Sequence, residues 1–239
     1  MMFECFAASE CGYGLDTNED FYQSDIQEGV FVVADGLGGM PAGDMASRLV
    51  VETFVDNLRY KSKSQRILDS IVLSAVQNAN DKLISLAQSD PSLTGIGSTL
   101  SALVIVDSKA KIVHIGDSRV YRFHDGIFKL LTKDHTLEGE LGTLEVGTTV
   151  AERFKHLLTR TMGSAESSEP DIINLKVTAN DIFIICTDGL SKSVSEDTFE
   201  VIVKSLSKRS AREICEKLIT AAINHPCGDD VTVCVVKLM

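Results

Sequence analysis

Residues 29–39 read Gly-Val-Phe-Val-Val-Ala-Asp-Gly-Leu-Gly-Gly. Val30–Ala34 is an unbroken apolar run rich in β-branched and aromatic residues, closed by Asp35–Gly36. A run this short, bounded by turn residues, predicts a buried strand. The aspartate at its end stands on a rigid mount facing a loop, where functional groups collect. The pattern recurs. Further β-like runs are Ser98–Asp107, Ala110–Ile115, Val120–His124, Asp171–Val177, Ile182–Cys186 and Val231–Lys237, with a short one at Phe21–Gln23.

Three segments carry helical spacing instead. Ala42–Leu58 places apolar side chains at Ala46, Leu49, Val50, Phe54 and Val55, and Ser64–Gln88 does so from Ile67 to Leu86. Ser210–Ile223 opens with Ser210 and Glu213, the spacing of a capping box. Strands follow one another through short turns such as His124–Asp125–Gly126, which suit antiparallel hairpins. The order strands, helices, strands, helix predicts an α+β fold with helices packed on sheets. Residues 133–165 break the rhythm and read as an excursion from the core. No linker or internal repeat divides the 239 residues, so one domain is expected.

Apolar residues make up 44% of the chain, enough for a core without disulfides. The net charge of -11, with no basic cluster beyond Lys61–Ser62–Lys63, disfavours nucleic acid and anionic lipid as partners. Six cysteines form no CxxC pair and read as reduced, which predicts a cytoplasmic protein. No apolar stretch reaches the roughly 18 residues of a membrane span, and the first residues lack a signal-peptide pattern.

Acidic residues mark five strand ends: Asn18–Glu19–Asp20, Asp35–Gly36, Gly116–Asp117, Thr187–Asp188–Gly189 and Gly228–Asp229–Asp230. Any one alone reads as a turn or a solvated loop. Together they are harder to dismiss, because converging carboxylates repel unless cations neutralise them. Oxygen ligands without a His or Cys set at ligand spacing select Mg2+ or Mn2+ over zinc. Two such ions sharing a carboxylate acidify a water and neutralise charge on a transferred phosphoryl group. The five histidines read as structural, and no GxSxG, CxxxxxR or GxxxxGK[ST] pattern is present.

Asn18–Glu19–Asp20, Val33–Gly39, Gly97–Ser98–Thr99, Gly116–Asp117–Ser118–Arg119, Leu131–His135, Leu158–Thr159–Arg160, Thr187–Leu190 and Asp229–Thr232 stand in an order that closely resembles the PPM (type 2C) protein phosphatases, most of all their bacterial branch. The resemblance runs from about Phe3 to Leu238. It implies a four-layer α-β-β-α sandwich of two antiparallel sheets, and a protein serine/threonine phosphatase in which a metal-activated water attacks phosphorus at a binuclear Mn2+ or Mg2+ centre. By position it implies that Asp35 bridges both ions and that the Gly36 carbonyl binds one of them. Asp188 and Asp229 complete the other, while Asp20 and Glu19 hold waters around them. Asp117 matches a ligand of a third, weaker ion, and residues 133–165 match a flap beside the cleft. Phosphorylated protein is the implied substrate and a serine/threonine kinase system the implied partner.

Three positions depart from the pattern. Leu15 stands where the family has a phosphate-binding arginine, Leu37 where some relatives have a histidine, and Asp230 where asparagine is usual. Losing a bidentate clamp weakens phosphate binding. Leu15 therefore supports a second reading, a weakly active or inactive module that keeps the fold and binds a phosphoprotein partner for regulation. Asp230 either tightens metal binding or points away.

Overall fold

The computed structural model describes residues 2–37, 42–141, 154–165, 168–225 and 228–239. Two antiparallel sheets lie face to face between helices, the expected α+β sandwich. One sheet has the order β1 (Phe3–Glu10), β11 (Val231–Leu238), β10 (Ile182–Cys186), β7 (Arg119–His124), β8 (Ile127–Leu130). The other runs β2 (Asp20–Asp25), β3 (Val30–Leu37), β5 (Leu100–Val106), β6 (Lys109–Ile115), β9 (Asp171–Lys176), with short β4 (Gly97–Ser98) also paired to β3.

Period-two alternation inside the apolar strands explains the layering. On β3, Phe31 and Val33 point into the space between the sheets, while Val30, Val32 and Ala34 meet α1 (Gly43–Arg59) and α3 (Asp69–Ser89). On β10, Phe183 and Ile185 join the inter-sheet layer, while Ile182, Ile184 and Cys186 face α6 (Glu196–Leu206) and α7 (Ala211–Ile223). Both faces of each central strand are covered, hence the unbroken Val/Ile runs. The β7–β8 hairpin turns at Asp125 and Gly126, both in the left-handed region at φ 48° and 81°.

Three departures from expectation have local causes. The helix expected over Ser64–Gln88 is split into α2 (Lys63–Arg66) and α3, with Leu68 extended at ψ 134° between them. The break lets Arg66 bury its guanidinium against the Leu58 and Glu28 carbonyls, each 3.1 Å away. After β10, a short α5 (Asp188–Ser193) and the capped α6 replace what the strand-and-turn reading left unassigned. Finally, β1 is an edge strand not among the runs named above. Of the 133–165 excursion, residues 133–141, which include α4 (Leu137–Leu141), and 154–165 are described, and 142–153 lie outside the described residues. No described helix is long and apolar enough to cross a membrane.

Candidate active site

All five acidic strand ends gather at one end of the sandwich. Asp20 and Asp35 face each other directly in the β2–β3 register. Asp188 follows β10 and Asp229–Asp230 precede β11, neighbouring strands of the other sheet joined there by the Thr187 N–H donating to the Thr232 carbonyl at 3.1 Å. Asp117 sits in the turn that crosses from β6 to β7, from one sheet to the other.

Backbone and hydroxyl groups fix this arrangement. One Asp20 oxygen, Oδ2, accepts from Thr187 Oγ1 at 2.8 Å and Thr232 Oγ1 at 2.7 Å. Its other oxygen is buried without a partner, as is Asp188 Oδ1. Asp35 is clasped through its main chain, its N–H donating to Thr99 Oγ1 at 2.9 Å and its carbonyl accepting from the Thr99 N–H at 2.8 Å. Gly36 must be glycine, since a Cβ there would stand 2.0 Å from the Gly43 carbonyl oxygen at the start of α1. Glu19 packs its carboxylate over that same Gly43. Its carbonyl accepts from Gly36 N–H at 3.1 Å and from Ser47 Oγ at 2.6 Å.

Asp230 turns its carboxylate onto main chain. Oδ1 accepts from Gly12 N–H at 2.8 Å and Oδ2 from Glu19 N–H at 2.7 Å, so the residue staples the β1–β2 connection to the start of β11. Its carboxylate is thus spent on main-chain amides, while its charge still adds to the repulsion felt by Asp20.

Electrostatics single out the same residues. Burial is the largest cause pushing Asp20 up to about 8, opposed by the two threonine hydroxyls, with Asp230 and Asp188 adding. Burial lifts Asp35 well above the carboxylate range, reinforced by Asp20, Asp188, Asp229 and Asp117. Asp117 is pushed up to about 7 by burial and by Asp188. Burial also raises Asp188, against the opposing Lys192 ammonium. Lys192 lies one helical turn after Asp188, with Nζ 2.5 Å from Asp188 Oδ2 and 2.7 Å from Asp229 Oδ2. Among the described residues, no group of three His, Cys, Asp or Glu side chains is arranged as it stands to hold a metal ion. The donor chemistry still fits a hard divalent cation: the set is all oxygen, two of its buried oxygens are unpartnered, and its members repel one another.

The remaining motif residues brace the site. Arg119 grips Asp134 with Nε at 3.0 Å from Oδ1 and Nη2 at 2.7 Å from Oδ2. Arg160 reaches Asp171 at 2.7 Å. His114 is buried between Ser101 Oγ at 2.9 Å and the Lys133 carbonyl at 3.1 Å, a structural histidine as expected. Leu15 is 44% exposed in a turn whose N–H donates to the Gly12 carbonyl. Leu37 ends β3, and residues 38–41 beyond it lie outside the described residues. Beside Asp229 opens a cavity of about 210 Å3 lined by Cys11, Tyr13, Ile223 and Val231, among others.

Sequence spacing alone does not reveal these roles for Ser47, Thr99 or Lys192. Thr99 was quoted only within a motif, although its hydroxyl also meets Ser118 Oγ at 2.7 Å and ties two motifs together. Lys192 lies in a six-residue helix too short to show a helical period in the sequence. A lysine four residues beyond a candidate ligand was the available signal.

Comparison with known proteins bears on the family and the fold. The sequence profile described as Protein phosphatase 2C matches residues 15–223, which includes Glu19, Asp20, Asp35, Asp117 and Asp188 and stops short of Asp229. The chain is 29% identical over 227 residues to a serine/threonine phosphatase stp of Listeria innocua, spanning 93% of this chain and 89% of that protein. A crystal structure of the Mycobacterium tuberculosis serine/threonine phosphatase PstP/Ppp superposes with a TM-score of 0.88 at 29% identity, covering 100% of this chain and 99% of that one. The catalytic domain of PstP in complex with two manganese ions gives 0.87 at 30% identity, covering 99% and 98%. With the matched profile spanning most of its length, this chain belongs to the protein phosphatase 2C family.

Proposed function

We propose that this protein removes phosphate from phosphoserine and phosphothreonine in protein substrates, using two Mn2+ or Mg2+ ions and a third, weaker one at Asp117. The observation that carries the reading is the meeting of Asp20, Asp35, Asp117 and Asp188 at one end of both sheets, each with its carboxyl pushed up by burial. Cations relieve such a cluster. When bound, the ions supply an acidified water and offset charge on the phosphoryl oxygens.

Asp35, facing every other carboxylate of the group, would bridge the two ions, with the Gly36 carbonyl on one and Asp188 and Asp229 on the other. The unpartnered oxygen of Asp20 and the Glu19 carboxylate would orient waters around the bound ions. Thr99, Asp230 and Ser47 hold these groups without touching substrate. The cavity beside Asp229 is placed to receive a side chain flanking the phosphorylated residue. We read residues 1–239 as one phosphatase domain with a flap at about 133–165, acting in the cytoplasm opposite a serine/threonine kinase.

The test is Mn2+-dependent phosphate release from a phosphothreonine peptide by the wild type, Asp35→Asn and Asp229→Asn. Loss of release in folded variants supports the reading, and full activity in both overturns it. Leu15, exposed where a phosphate-binding arginine is expected, favours one alternative, a phosphoprotein-binding module with little turnover. That alternative prevails if the wild type binds Mn2+ and a phosphoprotein yet hydrolyses nothing.

A further inference from the structure

The carboxylate pair Asp188–Asp229 already holds a cation that belongs to the chain. Lys192 Nζ stands 2.5 Å from one Oδ2 and 2.7 Å from the other, and its side chain is 43% exposed. We propose that Lys192 is a tethered counter-ion of the second metal position. Its ammonium holds the Asp188 and Asp229 oxygens until a divalent ion displaces it, and it sets how tightly that ion binds. The proposal rests on reading Asp188 and Asp229 as metal ligands.

An ammonium and a divalent ion cannot share the same two oxygens, because the cations would then lie nearly in contact. An ion that takes those two Oδ2 atoms therefore requires the ammonium to leave, while Asp188 Oδ1, which has no partner, is already open to it. The four-carbon stem allows this, since Lys192 can swing its head into water with its proton retained. No covalent bond changes; a divalent charge replaces a monovalent one.

Titration calorimetry of EDTA-treated, dialysed protein with MnCl2 tests this in wild type, Lys192→Met, Lys192→Gln and Lys192→Arg. The expected result is a second Mn2+ bound about tenfold more tightly in the two neutral variants, with Lys192→Arg close to wild type. In EDTA the neutral variants should melt below the wild type, and in Mn2+ the gap should close. A wild type that takes one Mn2+ where Lys192→Met takes two also supports the proposal. Second-site affinity unchanged within about twofold, or weaker, in whichever neutral variant folds overturns it. Asp229→Asn separates the two failures. If it removes an ion while Lys192 substitutions do nothing, only the counter-ion role falls. If it leaves Mn2+ stoichiometry unchanged, the ligand reading falls and the proposal with it.

Discussion

Asp20 and Thr232 stand on different sheets, and the Thr232 hydroxyl donates to Asp20 Oδ2 at 2.7 Å. Thr187 repeats the contact at 2.8 Å from the neighbouring strand. The link joins the two halves of the site and leaves one buried carboxylate oxygen unpartnered. Thr232→Val keeps the side-chain shape and removes one donor, so it should cost about 1–3 kcal/mol of stability. Urea denaturation in EDTA measures this, and a change below about 0.5 kcal/mol would show that the link is unimportant.

Asp230 offers a second check of the same end of the molecule. Asp230→Ala strands the Gly12 and Glu19 amides, and a loss of about 2–4 kcal/mol is expected. Asp230→Asn retains one acceptor and should lose about half as much. Equal losses in both variants would argue against the staple.

Asp35→Asn should act on stability with a sign that depends on metal. In the metal-free protein burial, and then Asp20, Asp188, Asp229 and Asp117, penalise the charged form of Asp35, so a neutral amide there removes that penalty and raises the melting temperature. In Mn2+ the same variant should melt below the wild type, since on the proposed function it loses a ligand. Differential scanning calorimetry with and without the ion reads both halves.

His114 sets an acid limb to stability. Burial, with His135 beside it, pushes its pKa down to about 4 from 6.5. Between those values the unfolded chain takes up the proton more readily than the folded one. The stabilisation is complete above pH 6.5 and lost as pH falls through 4, up to about 3 kcal/mol. Denaturation midpoints measured from pH 7 to pH 4 should fall more steeply for wild type than for His114→Gln.

Leu15→Arg should restore a phosphate contact at an exposed turn and lower KM for an aryl phosphate by about three- to tenfold, with a smaller change in kcat. An unchanged KM would indicate that another cation already serves the phosphate.

Much of this fold was legible in the sequence because β3, β5, β10 and β11 are apolar on both faces and stop at turn residues. What escaped has a physical reason. Along β1 the helix-side layer meets Phe6 and Ala8 and the inter-sheet layer meets Phe3, Cys5 and Ala7, a mix of small and half-buried residues without clear alternation. In α6 the helical period rests on Phe199, Ile202 and Val203 alone, a short signal. The candidate carboxylates could be named from strand ends alone. The residues steering them could not, since the Thr99 and Asp230 contacts span 64 and 211 positions of sequence.

The inter-sheet layer has a consequence of its own. Asp20 and Asp35 ride on one sheet, Asp188 and Asp229 on the other, and Phe31, Leu103, Phe183 and Ile185 fill the gap between them. Those side chains work as the jaws of a caliper. A substitution such as Phe183→Leu, buried in that layer, would reset the distance at which the two halves of the active centre are gauged.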